Sequence, residues 1–163
     1  MRIDKSIELF QKGLSGKLSP KTVEKYKDVL WLFKDYLAGY ADLPHEEHKD
    51  KGIVLTADTQ ELTDGQVGNF LEWFLIRKVM GPAWLATAAP GIMKKYIRWL
   101  DKQGLLAEGA MEEVFEITKK ATKDLPRVEK AANLLYELCQ ENEGRLDIHS
   151  LEDDDYMEGY GEV

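Results

Sequence analysis

From Lys5 to Leu138 the apolar residues of this chain recur at steps of three and four, and alternation with a period of two is nearly absent. A helix turns once in about 3.6 residues, so this spacing lines one face of each segment with apolar side chains and constrains the chain to an all-α fold. A short first helix is expected from about Lys5 to Leu14, closed by Gly13-Leu14-Ser15-Gly16. Ser19 then supplies an N-cap and Pro20 a first helical residue, because proline gives up a donor that would be orphaned there anyway. The helix they open is expected to reach about Tyr40, with Val23, Tyr26, Leu30, Phe33 and Leu37 along one face.

Residues 41–62 read as a long loop with Pro44, a charged run from His45 to Lys51 and a brief β-like stretch, Ile53 to Thr56. Thr63 or Asp64 caps a third helix ending near Met80, with Val67, Phe70, Leu71, Phe74 and Leu75 as its apolar stripe and Gly81-Pro82 as its stop. A fourth helix, about Ala83 to Gln103, is expected to kink or divide at Pro90-Gly91. Its second half sets Ile92, Met93, Tyr96, Ile97 and Leu100 inward and Lys94, Lys95, Arg98 and Lys102 on the other side, and Gly104 ends it. Two further amphipathic helices are expected, about Gly109 to Lys123 and Pro126 to Glu143, before an acidic tail whose last residues alternate like the start of a strand. That ending fits either a disordered tail or the cut end of a longer protein.

At 163 residues the chain has room for one core and an appendage. No run approaches the roughly 18 uncharged apolar residues of a membrane span, and the first ten residues hold no apolar signal core, so a soluble protein without a membrane partner is expected. A single cysteine fits a reducing compartment, hence a cytoplasmic location. The net charge of −8 argues against a nucleic-acid partner only as an average. Residues 1–104 hold 16 Lys/Arg against 14 Asp/Glu, whereas residues 105–163 hold 6 against 16. The first two thirds are free to carry a basic face.

Three linked stretches follow one another in order: Ser19-Pro20-Lys21-Thr22 with Tyr26, Leu30 and Phe33; Leu62-Thr63-Asp64 with Val67 and Phe70-Leu71; and Ile92 to Leu100 running on to Gly104-Leu105-Leu106. Through them residues 4–106 resemble the N-terminal core-binding domain of tyrosine recombinases and phage integrases, a SAM-like orthogonal four-helix bundle. The resemblance implies a domain that forms half of a clamp on duplex DNA, with its second and fourth helices facing the double helix. Carried over by position, it implies DNA contacts from Lys21, Thr22 and Lys25 on the second helix and from Thr87, Lys94, Lys95 and Arg98 on the fourth. Lys21 and Lys25, and Lys94, Arg98 and Lys102, repeat at steps of four, so each helix offers a cation row able to meet phosphates.

The sequence departs from the family in two places. Pro82 to Pro90 is richer in alanine than the hydroxyl and basic residues usual there. The catalytic half is absent: after residue 106 only Arg127 and Arg145 are available, and Tyr156 and Tyr160 lie in an acidic tail that repels phosphate. Strand exchange by this chain alone is therefore excluded by the comparison, and it is read as a non-enzyme. Catalysis would come from a partner domain.

Each of these features also has a plainer reading. Lysine rows are ordinarily solvated helix faces. Trp73 and Trp99 lie beside apolar stripes, whereas Trp84 follows Gly-Pro at a helix start and is the better candidate for a base-stacking role. His45-Glu46-Glu47-His48 brings its second histidine one residue too early for a zinc helix, and Asp153-Asp154-Asp155 lacks the glycine of a calcium loop, so no metal is expected. Cys139 shares a face with Leu135 and Leu138, as a buried apolar residue would, and His149 has no nucleophile beside it. No cofactor motif appears. The sequence thus leads to a non-catalytic DNA-binding domain acting in integration or recombination. Its alternative is a helical protein–protein interaction module, self-associating or not, that works through the acidic C-terminal third.

Overall fold

The structure, a computed structural model, describes residues 1–41, 57–79 and 81–141, the side chains of Cys139 and Glu141 excepted. It is all-α, with no strand among the described residues. The chain divides into two compact units, Met1–Glu129 and Lys130–Val163. In the first unit α1 (Ile3–Leu14) and α2 (Pro20–Gly39) are followed by a 3-10 turn (Thr59–Glu61). The third helix, α3, is α-helical over Asp64–Asn69, π-helical over Phe70–Phe74 and α-helical again over Leu75–Arg77. Next come α4 (Ala83–Lys102) and α5 (Ala110–Glu141), of which the residues up to Glu129 belong to this unit.

Local chemistry sets the helix ends. The Ser19 hydroxyl accepts from the Thr22 amide at 3.3 Å, with Pro20 in the first turn of α2. At α3 the cap is reciprocal: Thr63 Oγ1 accepts from the Gln66 amide at 3.2 Å, while Gln66 Oε1 accepts from the Thr63 amide at 3.1 Å. Helix α4 closes on Gly104 at φ 65°, where the Gly104 amide donates to Asp101 at 2.9 Å and the Leu105 amide to Leu100 at 3.0 Å. Only a residue without Cβ takes that backbone turn cheaply. The 3-10 segment is pinned to the start of the chain. The Ile3 amide donates to Ala57 at 3.0 Å, and the Thr59 amide to Met1 at 2.8 Å.

The core joins Ile3, Ile7 and Phe10 of α1, Tyr26, Leu30, Phe33 and Leu37 of α2, Phe70, Leu71 and Phe74 of α3, and Met93, Tyr96, Ile97 and Leu100 of α4. These include most of the stripes expected from the spacing, although Val23 is only half-buried. Tyr96 lies at the centre, and its hydroxyl shares a 2.6 Å hydrogen bond with Ser6. Ser6 gives its own proton to the Ile3 carbonyl at 2.7 Å, so the phenol is the donor.

Several expectations give way. Helix α1 starts two residues earlier, at Ile3, where a fully buried isoleucine rewards the extension, and α3 ends at Arg77. Pro90 does not divide α4, because Leu85, Ala86 and Ala89 before it and Met93, Tyr96 and Ile97 after it stay on one buried face. The two helices expected after residue 106 are one. Pro126 lies inside α5, and the seam Met111, Val114, Thr118, Ala121 and Leu125 stays in phase up to it, so packing outweighs the roughly 3 kcal/mol that an interior proline costs. The loop 42–56, with Ile53 to Thr56, and the tail beyond Glu141 lie outside the described residues.

Two measurements follow from this packing. Pro126→Ala restores a backbone donor to α5 and should raise the thermal midpoint by several degrees. Burial pushes the Tyr96 phenol well above the ordinary value near 10, so its contribution is present below about pH 10 and is lost as pH rises beyond that. Chemical denaturation at pH 8 and pH 11 should show a larger alkaline loss for the wild type than for Tyr96→Phe.

Candidate nucleic-acid interface

The basic residues expected to meet DNA separate into two groups, according to which neighbour each approaches. On α2, Lys21 is exposed, and the Thr22 hydroxyl is engaged with the Ser19 hydroxyl at 2.8 Å. Lys25, one turn further on, lies over the indole of Trp84 at the start of α4, with Nζ 5.2 Å from the ring centroid. Lys95 of α4 is exposed and reaches back to Tyr26 of α2, 5.6 Å from the ring centroid. Lys25 and Lys95 therefore lie where α2 and α4 face each other, with Lys21 one turn before Lys25 on α2. Thr87 is exposed on α4 and donates to the Ala83 carbonyl at 3.4 Å. A Cβ added at Gly91, one turn beyond Thr87, would meet nothing within 4 Å, so α4 is open there.

The second group turns toward α5. Lys94 is half-buried with Nζ 3.7 Å from the centroid of the Phe115 ring, and the Arg98 guanidinium is 5.2 Å from the same centroid. Positions 94 and 98 are one turn apart, so a single ring serves both. The spacing over about Gly109 to Lys123 sets Phe115 in an apolar stripe with Met111, Val114 and Thr118 but does not show it as the seat of two cations, because nothing in the local pattern tells that α5 lies along α4. The ring face is electron-rich, and it holds the two like charges beside each other without a carboxylate.

Charge along α4 is one-sided. Helix α4 has no acidic residue from Ala83 to Leu100, and among the described residues none of Lys21, Lys25, Lys94, Lys95, Arg98 or Lys102 forms an ion pair. Lys27, by contrast, stands 3.8 Å from Glu24, and Lys120 of α5 stands 3.0 Å from Glu72 of α3, which holds its ammonium above the usual range. Trp99 is half-buried and packs on Phe10 at 5.5 Å, whereas Trp31 is 64% exposed. Beside the Lys120–Glu72 pair a cleft of about 380 Å³ opens over Ile76, Ala121, Leu125 and Val128.

No group of three or more His, Cys, Asp or Glu side chains is placed to hold a metal ion among the described residues. The His45 to His48 run, Arg145, His149, Asp153 to Asp155, Tyr156 and Tyr160 lie outside them, as does the side chain of Cys139. Among the described residues no helix is long and apolar enough to cross a membrane. Comparison of the chain with protein-family models, curated proteins and solved structures finds no match.

If Phe115 is the counter-surface for Lys94, the two are energetically coupled. A double-mutant cycle with Lys94→Met and Phe115→Leu, read by urea denaturation, should return a coupling of about 0.5–2 kcal/mol. A sum of independent single effects would show that the contact contributes nothing.

Proposed function

We propose that the chain is a non-catalytic duplex DNA-binding domain, of the SAM-like core-binding kind found in tyrosine recombinases and phage integrases, acting in DNA integration or recombination within the cytoplasm. The observation that carries this reading is the acid-free outer side of α4, bordered by Lys21 and Lys25 of α2, with its cations resting on aromatic rings instead of on carboxylates. A lysine over a ring is held in place yet keeps its full charge, and a phosphate gains more from it than a ring does. Such contacts position a domain on the duplex without reading its sequence. Thr87 and the open backbone at Gly91 leave α4 low in profile where a sugar-phosphate strand would pass. Catalysis is assigned to a partner domain.

A second reading, a protein–protein interaction module working through the acidic C-terminal third, is supported by the exposed apolar side chains of Leu134, Leu135 and Tyr136. The two readings differ in their response to salt. Titrating labelled duplex at about 50–200 mM salt should show binding that weakens linearly in log salt, with a slope of several units. Lys21→Glu and Lys95→Glu should each lower both affinity and slope. Gly91→Glu, which places a carboxylate among the cations, should weaken binding about tenfold while leaving the circular dichroism unchanged. No binding at any salt would reject the DNA reading and leave the interaction module.

A further inference from the structure

The described part of the second unit, residues 130–141, is helical and carries a broad apolar face. Leu134, Leu135 and Tyr136 are 50%, 61% and 52% exposed, and Ala131 lies on the same side as Leu134 and Leu135. Along α5, Val128, Ala131, Leu135 and Leu138 follow the 3-4-3 spacing of a coiled-coil seam. The seam that α5 buries in the first unit has the same rhythm, at Val114, Thr118, Ala121 and Leu125. An occupant of the exposed face is therefore expected to be another helix.

Charge along the helix selects which one. Between Lys119 and Lys130 there are five cations against Asp124 and Glu129, and from Ala131 to Glu141 there are two glutamates and no cation. We propose that this segment pairs antiparallel with the same segment of a second copy of the chain, about a two-fold axis near Asn133. In that register Ala131 meets Leu135 and Val128 meets Leu138, small against large on both halves. Arg127 and Lys130 share the flank that carries Glu137, so antiparallel pairing sets them beside Glu137 of the second copy. In a parallel pair that flank would face the other flank of the second copy, which carries Ala132 and Tyr136, and Glu137 would meet no cation. Three turns of helix bury less than the roughly 1,200–2,000 Å² of stable interfaces, so the dimer should be weak, with Kd in the micromolar range. The proposal is independent of DNA contact, which is read by a separate titration.

Sedimentation equilibrium of the full chain from about 5 to 500 μM should show mass rising from 18.7 kDa toward twice that value. Leu135→Glu should leave a monomer throughout, with unchanged helicity. Arg127→Glu with Lys130→Glu, on an exposed flank that folding does not need, should weaken dimerisation by about tenfold. For orientation, a spin label at Lys123→Cys in a Cys139→Ser background should report a separation of about 30 Å, ten residues either side of the axis at 1.5 Å each. A wild type that stays monomeric, a Leu135→Glu protein that still dimerises, or a label separation near 10 Å, as in a parallel pair, would each overturn the proposal.

Discussion

Tyr96 is the residue on which the three-way junction of α1, α2 and α4 depends. Its phenol donates to Ser6 of α1, and its ring meets Phe10 of α1 at 5.4 Å, Phe33 of α2 at 6.4 Å and Trp99 of its own helix at 6.5 Å. From Phe33 the ring contacts continue through Phe70 at 5.0 Å to Phe74 at 6.0 Å, so aromatic packing ties α3 to the same centre. A buried hydroxyl without a partner costs about 1–3 kcal/mol, and the Ser6–Tyr96 pair avoids that cost for both groups. Because each group satisfies the other, rotation of α4 about its axis is penalised by lost polar contact as well as by lost packing.

That fixed rotation decides where the cations of α4 point. Successive helical residues are about 100° apart, so with Tyr96 turned inward Lys94 and Lys95 leave the outer side of the helix about 100° from each other. Lys95 goes toward Tyr26 and Lys94 toward Phe115. Electrostatics on this face therefore follows from the core. The neighbouring cations are spread around the helix by its geometry, and the rings of α2 and α5 receive them on either flank.

Much of this was legible in the sequence. The helical class, the Ser19-Pro20 start, the Gly104 stop and most of the buried stripes follow from local spacing and capping, since each depends on residues within a turn or two of one another. Helix α4 is not divided at Pro90 and no new helix starts at Pro126, where a local rule prices the missing donor and does not see the packing that runs past it. The π-helical stretch at Phe70–Phe74 left no mark in the pattern, as the same apolar positions suit a regular helix. Of the site, the lysine rows could be found from their steps of four, whereas the aromatic seats of Lys94 and Lys25 join residues far apart in the chain.

The ring of Phe115 makes α5 answerable to whatever the cations of α4 touch. An anion that drew Lys94 and Arg98 outward would take from Phe115 the charges that lie over it. By linkage, the free energy the anion loses in detaching them equals the free energy by which it loosens the helix. The contact is thus an exchange between two occupants of one pair of charges, and the hold of α5 on the bundle and the affinity of α4 for anions share one coupling free energy.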